Sequence, residues 1–577
     1  MPPKSKRWQI APRVSSLIVA RFPNLHPLIV QILYNRGITT LEQAELFLAP
    51  DALIGNPFQM RGVNEAIERL RRAIRAGEAI AVYGDFDADG VTATALLVQV
   101  LKSLGAKVKP YIPHRIDEGY GLNLEALQQL KDDGVRVVIT VDCGVRSLDE
   151  VAFGTRIGLD MIITDHHAPT DSLPDAFAVI DPKQPQCTYP TKELSGVGVA
   201  FKLAQALLRV NERVPIQTSK AGSHQNQIPV TEDALLDLVA VGTVADLVPL
   251  TNENRALVKR GIARLRQSER PGIQSLMRHA AIKPETLDTG SIGFTLAPRL
   301  NAAGRLEHAL RAYELLTTIY PDEAEKLAQE LEGTNRERQR LTADLTLKAR
   351  DMVAANADTE ALLFVTDPTF LEGIVGLIAS RLTEEFYRPA IAVHRGETES
   401  RGSARSISEF NIVAALDECR ELLVRHGGHA MAAGFTVRNE NLPALETRLR
   451  AIAACTLSPS ELAPTLSVDA EAALSEMNWA VQKSLEQLAP FGYGNREPIF
   501  VSRNVVVREA RLVGSEHLKL ILSDGQTAWD AIAFRQGSWI GNLSQRIDVA
   551  YQLDARTWNG ETRLQLNVKD IKPTDDR

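Results

Sequence analysis

Apolar positions along the chain change pattern three times. Near the N-terminus they recur at helical spacing, in Pro27–Asn35, Leu41–Leu48 and the Arg-rich Val63–Ala76, which predicts helices. From residue 79 to about 182, short apolar runs (79–83, 108–112, Val135–Val141 and 161–164) alternate with amphipathic stretches. That alternation predicts parallel strands joined by crossover helices in an α/β layer architecture. The polar stretch 217–227 reads as a surface loop, and 233–240 as the end of this domain's helical part. Residues 305–352 hold few Gly or Pro and many Leu, Ala, Glu and Arg, which predicts one long connecting helix. A second α/β pattern runs from 361–365 to about Cys455. The remainder carries five short runs, 504–507, 519–522, 531–534, 549–553 and 563–568, with hairpin signals at Asp524-Gly525 and Asn559-Gly560. Such a series predicts a small β-barrel or sandwich.

Length and composition narrow this picture. At roughly 150 residues per domain, 577 residues make several domains. Hydrophobic content of 44% and charged content of 24% are globular values. The net charge of −7 excludes coating of nucleic acid by bulk positive charge, though not binding in a local basic groove. Cys143, Cys187, Cys419 and Cys455 form no CxxC pair, so neither a thiolate zinc site of usual spacing nor a disulfide framework is expected. No apolar stretch reaches signal-peptide or membrane-span length, and a cytoplasmic location without membrane contact is expected.

The chemistry concentrates where apolar runs end. Val82-Tyr83-Gly84-Asp85-Phe86-Asp87-Ala88-Asp89-Gly90 places three carboxylates at alternate positions after the first run. In α/β sheets, ligands bind outside the carboxyl ends of strands. A turn with an N-capping Asp accounts for Asp89, beside the helix start, but not for Asp85 and Asp87 as well. The arrangement recurs: Val135–Val141 ends in Asp142-Cys143-Gly144, and 161–164 ends in Asp165-His166-His167. One Asp or His at a strand end is usually a cap; three successive units ending this way point to a bound cation. Asp246 in Gly242-Thr243-Val244-Ala245-Asp246-Leu247 is a fourth candidate. Carboxylates with imidazole and no thiolate suit Mg²⁺ or Mn²⁺ better than Zn²⁺. Such a cluster most naturally holds two divalent cations about 3.5–4 Å apart and promotes in-line displacement at phosphorus. Phosphodiester and pyrophosphate hydrolysis both fit.

These motifs resemble the DHH phosphoesterase superfamily, which is named for the run found here as Asp165-His166-His167, and within it the RecJ-type nucleases. Pro298-Arg299-Leu300-Asn301-Ala302-Ala303-Gly304-Arg305-Leu306 resembles the motif closing the catalytic half of that family. Gly402-Ser403-Ala404-Arg405-Ser406, His426-Gly427-Gly428-His429 and Ala432-Ala433-Gly434-Phe435 resemble its DHH-associated domain. Phe491-Gly492-Tyr493-Gly494-Asn495 resembles the entry to its terminal oligonucleotide-binding barrel. The resemblance implies a segment order of 1–60 helical, 61–305 DHH core, 306–352 connector helix, 353–460 DHH-associated domain and 461–577 OB-type barrel.

The resemblance further implies a 5′→3′ exonuclease of single-stranded DNA that yields mononucleotides in repair and recombination, using two Mn²⁺ or Mg²⁺ ions. Asp85, Asp87, Asp142, His166 and Asp246 match metal-binding positions, with Asp142 bridging. His167 matches a position facing the scissile phosphate, and Asp165 one that orients its neighbours. Asn301, Arg305, Ser403, Arg405, Gly428 and His429 match the substrate side. A monomer is implied, with single-stranded-DNA-binding protein and a RecQ-type helicase as partners. Two departures stand out: Ala81 occupies the position of the family II pyrophosphatases' metal-binding His, and Arg496 replaces the usual Pro of the barrel motif.

Weaker signals have bland alternatives. Ser195-Gly196-Val197-Gly198 reads equally as a phosphate cradle or as a plain Ser cap. The basic run 334–350 is usually a solvated face, but between two catalytic-type domains it could guide a strand. Trp529, Trp539 and Trp558 suit barrel core better than base stacking. Two rival functions remain at this level: a DHH phosphodiesterase for short oligonucleotides or cyclic dinucleotides, and a catalytically inactive DNA-binding scaffold.

Overall fold

Parallel pairing of buried strands organises the first half of the chain in a computed structural model. It describes residues 6–115, 117–119, 121–216, 230–354, 360–458, 462–558 and 560–574; the polar stretch 217–227 and Asn559 lie outside them. The chain divides into two compact units. One comprises Pro50–Leu457 with Gly492–Asn495; the other comprises Met1–Ala49, Ser458–Phe491 and Arg496–Arg577 and includes the first strand, β1 (Arg7–Ile10).

In the larger unit, β2 (Ala79–Gly84), β3 (Lys107–Tyr111), β4 (Val135–Val141), β5 (Asp160–Thr164) and β6 (Ala178–Ile180) form an all-parallel sheet in the order β3-β2-β4-β5-β6. Its inner strands are buried almost throughout, as a sheet covered on both faces requires. The helices Leu124–Asp132 and Leu148–Arg156 contribute to the smaller apolar cluster, with Leu127, Leu130 and Val151. The helices Val63–Ala76, Ala88–Ser103, Gly196–Arg213 and Leu236–Ala245 build the larger one. Ala88–Ser103 is buried on nearly every side, and Gly90 in its first turn lets the backbone of Asp85 approach, where a Cβ would lie 2.5 Å from Asp85 O.

The expected single helix over 305–352 is two helices, Leu310–Thr317 and Pro321–Val353. Pro321 is the reason: its ring disfavours helical backbone at the preceding residue, and Tyr320 is extended, at φ −97° and ψ 117°. A second, mixed sheet follows, of β7 (Leu363–Asp367), β8 (Ala390–Arg395), β9 (Glu399–Arg405), β10 (Leu423–His429) and β11 (Ala432–Arg438), in the order β10-β11-β9-β8-β7. Only β7 and β8 pair in parallel; the other pairings are antiparallel.

In the smaller unit β12 (Thr465–Val468) pairs in parallel with β1, and Trp8 Nε1 donates to Asp570 Oδ2 at 2.7 Å. The strands β13 (Ala470–Glu471), β14 (Phe500–Val513), β15 (His517–Ser523), β16 (Ala528–Ala533), β17 (Arg546–Trp558) and β18 (Glu561–Pro573) form a six-stranded sheet, and pairing of β14 with β17 closes it into a barrel. Leu518, Leu520, Leu522, Tyr551 and Leu566 fill it, joined in one apolar cluster by Ile29, Ile32 and Leu33 of the helix Pro27–Asn35. Trp539 belongs to this core and Trp529 packs against it, as expected; the side chain of Trp558 lies outside the described residues. Arg496 reaches Asp469 at 3.5 Å, and its carbonyl accepts from Arg36.

The larger unit contains a fully buried ion pair, Lys202 with Glu253. Tyr189 OH donates to Glu253 Oε2 at 2.6 Å, and Gly55 N to Glu253 Oε1 at 3.0 Å. Removing one partner strands the other charge, so Glu253→Ala is expected to lose about 3–5 kcal/mol in denaturant unfolding, whereas Lys192→Ala, at an exposed lysine, loses far less.

Candidate metal centre and phosphate-binding cavity

The register of the parallel sheet turns sequence-distant residues into neighbours. Gly84 pairs with Val141, and Val141 with Thr164, so the residues that follow, Asp85, Asp142 and Asp165, leave three adjacent strands at one level. Asp246 reaches the same place from the C-terminal end of the helix Leu236–Ala245. Three sets of side chains offer ligand atoms within 4.8 Å of one another: Asp85, Asp87 and Asp142; Asp142, His166 and His167; and Asp89, His166 and Asp246. All five expected metal positions are therefore brought together.

Local geometry shows how they are held. Asp142 has a left-handed backbone, at φ 62°, a strain of the kind found at functional sites. A Cβ on Gly196 would lie 2.6 Å from Asp142 Cβ, so only glycine admits that approach. The capping roles are exchanged relative to expectation. Asp87 caps the helix Ala88–Ser103, accepting from Asp89 N at 2.9 Å and Gly90 N at 3.1 Å. Asp89 lies in the first turn and accepts from Gly196 N at 2.6 Å and Val197 N at 2.9 Å. Those amides are thus occupied, and the Ser195–Gly198 turn is no phosphate cradle; Ser195 is a plain cap, accepting from Gly198 N at 3.1 Å.

Asp165 is saturated with donors. Its Oδ1 accepts from the amides of His166 and His167 and from His167 Nδ1 at 2.7 Å, and its Oδ2 accepts from Val145 N. This fixes the orientation of the His167 ring through Nδ1. Burial works to raise Asp165, but the hydrogen bond and charge of His167 outweigh it and hold the carboxyl at about 2. Burial likewise works to lower His167, and Asp165 raises it instead.

The other acids behave oppositely. Burial, then the charge of Asp87, pushes Asp85 well above its usual value. Burial, then Asp89, does the same to Asp142 and lifts Asp246 to about 9. Burial, then His167, lowers His166 to about 3, leaving a neutral imidazole able to act as a ligand. His166 Nε2 lies 3.0 Å from Asp142 Oδ1 and 3.6 Å from Asp246 Oδ2 without hydrogen-bond geometry, and Asp85 Oδ1 is buried with no hydrogen-bond partner among the described residues. A buried acceptor such as Asp85 Oδ1, with no donor among the described residues and ligand atoms converging beside it, fits divalent cations.

Beside this centre a cavity of about 490 Å³ is lined by Phe86, Arg115, Arg305, Ser403 and Arg405, with Arg401 and Arg425 further along. Arg305 Nη1 donates to Gly373 O at 3.0 Å, and Arg405 Nη1 to Ser403 Oγ at 3.1 Å. Burial, then the charges of Arg115, Arg338 and Arg405, lowers Arg305 to about 9, against the opposing pull of Asp87. His429 faces the centre from the second sheet: after burial, Arg146, His167 and Lys183 depress it.

Two expected substrate residues have structural contacts of their own. Asn301 Oδ1 accepts from Ala88 N at 2.7 Å and so braces the acidic loop. Gly428 turns away from the side bearing Gly427 and His429, and a Cβ there would lie 2.3 Å from Ala432 O, so its glycine serves the hairpin. Two residues were missed. Arg115, with its guanidinium 4.7 Å from the Phe86 ring centre, follows β3 and is cationic, whereas the search was for acids. Asp181 follows β6, and its Oδ2 is buried without a hydrogen bond among the described residues; the run 178–180 before it was too short to register as a strand.

Comparison with known proteins identifies the domains. Residues 79–243 match the DHH family, N-terminal domain, residues 361–454 the DHHA1 domain, and residues 468–570 the RecJ OB domain. The single-stranded-DNA-specific exonuclease RecJ of Bacillus subtilis is 39% identical, over 98% of this chain and 70% of its own length. That of Escherichia coli is 35% identical, over 95% of this chain and 96% of its own. A crystal structure of RecJ in complex with Mn²⁺ from Thermus thermophilus superposes with a TM-score of 0.83 at 31% identity, covering 99% of this chain and 80% of that one. A second crystal structure of that protein holds Mg²⁺. With DHH, DHHA1 and OB domains in this order and relatives matched along nearly the whole chain, the protein belongs to the RecJ family of the DHH superfamily.

Proposed function

We propose that this metal-dependent single-stranded-DNA exonuclease works from the 5′ end and releases mononucleotides, in DNA repair and recombination. The observation that carries the reading is the adjacency of a carboxylate–imidazole centre to a cavity lined by guanidiniums. Asp85, Asp87, Asp142, His166 and Asp246 would hold two divalent cations, Mn²⁺ or Mg²⁺. When bound, such cations neutralise phosphoryl charge and lower the pKa of water. His167, oriented by Asp165, presents Nε2 to a non-bridging oxygen of the scissile phosphate. Arg115, Arg305, Ser403 and Arg405 receive the terminal 5′-phosphate. Seating that group beside the centre leaves the first internucleotide link as the one presented for cleavage, which sets both polarity and product size. His429 supports the phosphate from the second sheet.

Every expected metal position holds a competent ligand, which speaks against an inactive scaffold. The closed barrel speaks against a dinucleotide phosphodiesterase, because so small a substrate needs no extended platform. The same proposal includes a cytoplasmic monomer that meets single-stranded-DNA-binding protein and a RecQ-type helicase. No described helix is long and apolar enough to cross a membrane.

With Mn²⁺, 5′-labelled single-stranded DNA is expected to lose its label as mononucleotide at once, and 3′-labelled DNA only late. Equal release from both ends, or release persisting in EDTA, contradicts the reading. Asp142→Ala is expected to lower kcat by about 10³-fold or more, equivalent to ~4 kcal/mol, while DNA binding measured by anisotropy persists. Mn²⁺ at a hundred times its Kd is expected to stabilise the fold by about 2.7 kcal/mol. Calorimetry should show this gain shrinking in His166→Ala, and an unchanged Tm shift there removes His166 from the centre.

A further inference from the structure

The cavity-facing side of the second sheet is a grid. Across β9, β11 and β10, Arg401 pairs with Thr436 and Thr436 with Arg425; Ser403 pairs with Gly434 and Gly434 with Gly427; Arg405 pairs with Ala432 and Ala432 with His429. Ser400, Gly402 and Ala404 are buried on the reverse face, while Arg401, Ser403 and Arg405 are half-buried on the cavity side. Successive rows are two residues apart, about 6.8 Å. The Arg405–His429 row faces the metal centre, the Ser403 row comes next, and the Arg401–Arg425 row lies farthest out.

The middle row has a bare floor. A Cβ on Gly427 would meet nothing within 4 Å, and one on Gly434 only Gly402 O, at 3.8 Å. Packing demands neither glycine, so the room they leave belongs to the cavity. The outer row has no role in the reading above, yet it is built of hydrogen-bonded cations. Arg425 Nε donates to Thr436 Oγ1 at 3.2 Å, and no carboxylate among the described residues pairs with Arg425. Arg401 Nη1 lies 2.5 Å from Glu372 Oε2. The row therefore presents two guanidiniums, with the Glu372 carboxylate beside Arg401, one repeat beyond the place assigned to the 5′-phosphate.

We propose that the Arg401–Thr436–Arg425 row is a second phosphoryl subsite, which receives the outer phosphates of a 5′-triphosphorylated strand. This rests on the reading that Ser403 and Arg405 seat the 5′-phosphate. The enzyme then accepts polyphosphorylated ends without prior trimming. One water adds to the phosphorus of the first internucleotide link, and the bond from that phosphorus to the terminal nucleotide's 3′ oxygen breaks. A proton passes to that oxygen and the second proton of the water goes to solvent. The products are a nucleoside 5′-triphosphate and a strand with a new 5′-phosphate. The phosphodiester of one additional nucleotide presents the same chemistry to this row, and its occupancy would show instead as dinucleotide release from ordinary ends.

Single-stranded DNA of one sequence bearing 5′-hydroxyl, 5′-monophosphate or 5′-triphosphate is incubated with the full-length enzyme and Mn²⁺, and the first product is identified by mass. The expected first product of the triphosphorylated strand is the intact nucleoside triphosphate. Arg425→Ala is expected to lower kcat/KM on that strand about tenfold and leave the monophosphate strand unchanged, with the same Tm. Glu372→Gln, which removes the negative charge beside Arg401, is expected to raise it a few-fold. An equal loss on both strands, no loss on either, or dinucleotides from monophosphorylated ends overturns the assignment. A failure of the underlying reading has its own mark: Ser403→Ala would leave monophosphate and hydroxyl ends degraded at the same rate as in the unaltered enzyme.

Discussion

Like charges held together out of water set the terms for this molecule. Asp85, Asp89, Asp142 and Asp246 are driven upward by burial and by one another, so the centre cannot hold them all ionised without cations. The surrounding fold keeps that tension in place. The sheet register puts three strand ends at one level, Gly196 lets Asp142 approach its helix, and the first-turn amides of Gly196–Arg213 engage Asp89. Asp165 escapes the trend because every nearby donor points at it, and it can therefore stay charged and hold His167. Carboxylates driven upward and a carboxylate held low thus follow the ends of adjacent strands.

The two sheets solve complementary problems with the same rule. In the first, parallel strands end together and their terminal residues converge, which concentrates negative charge at an edge. In the second, antiparallel strands present alternate residues from one face, which spreads Arg, Ser and His across an area. An edge suits small cations; a face suits a chain of phosphates. The proposed division of labour between metal and phosphate binding thus follows from strand direction as much as from residue choice.

Much of this was legible in the sequence because it is local. Apolar runs ending in acids mark strand ends, and all five metal positions expected from motif order meet in space. What escaped was set by tertiary contact. Asp87 and Asp89 exchanged roles because the true cap lies one residue before the helix, while the partner of Asp89 comes from residues 196–197. Asn301 and Gly428 carry the family motif yet face the loop and the hairpin, since a motif does not say which side of a strand or helix meets the substrate. The break before Pro321 was available and was overlooked beneath a strongly helical composition. β1 has only four residues, and its partner, starting at Thr465, lies across most of the chain, so no local pattern announces it.

That last pairing bears on how the protein is made. The larger unit is, in sequence, an insertion into the smaller one, whose parts are Met1–Ala49, Ser458–Phe491 and Arg496–Arg577. Trp8 meets Asp570, and β1 meets β12, only after the intervening residues have been synthesised. At about 5–20 residues per second, the roughly 450 residues between β1 and β12 take on the order of 20–90 s of translation. For that interval the first helices wait with apolar faces such as Ile29, Ile32 and Leu33 uncovered, while the nuclease half emerges and folds. On the ribosome the catalytic machinery is therefore complete before the barrel can close.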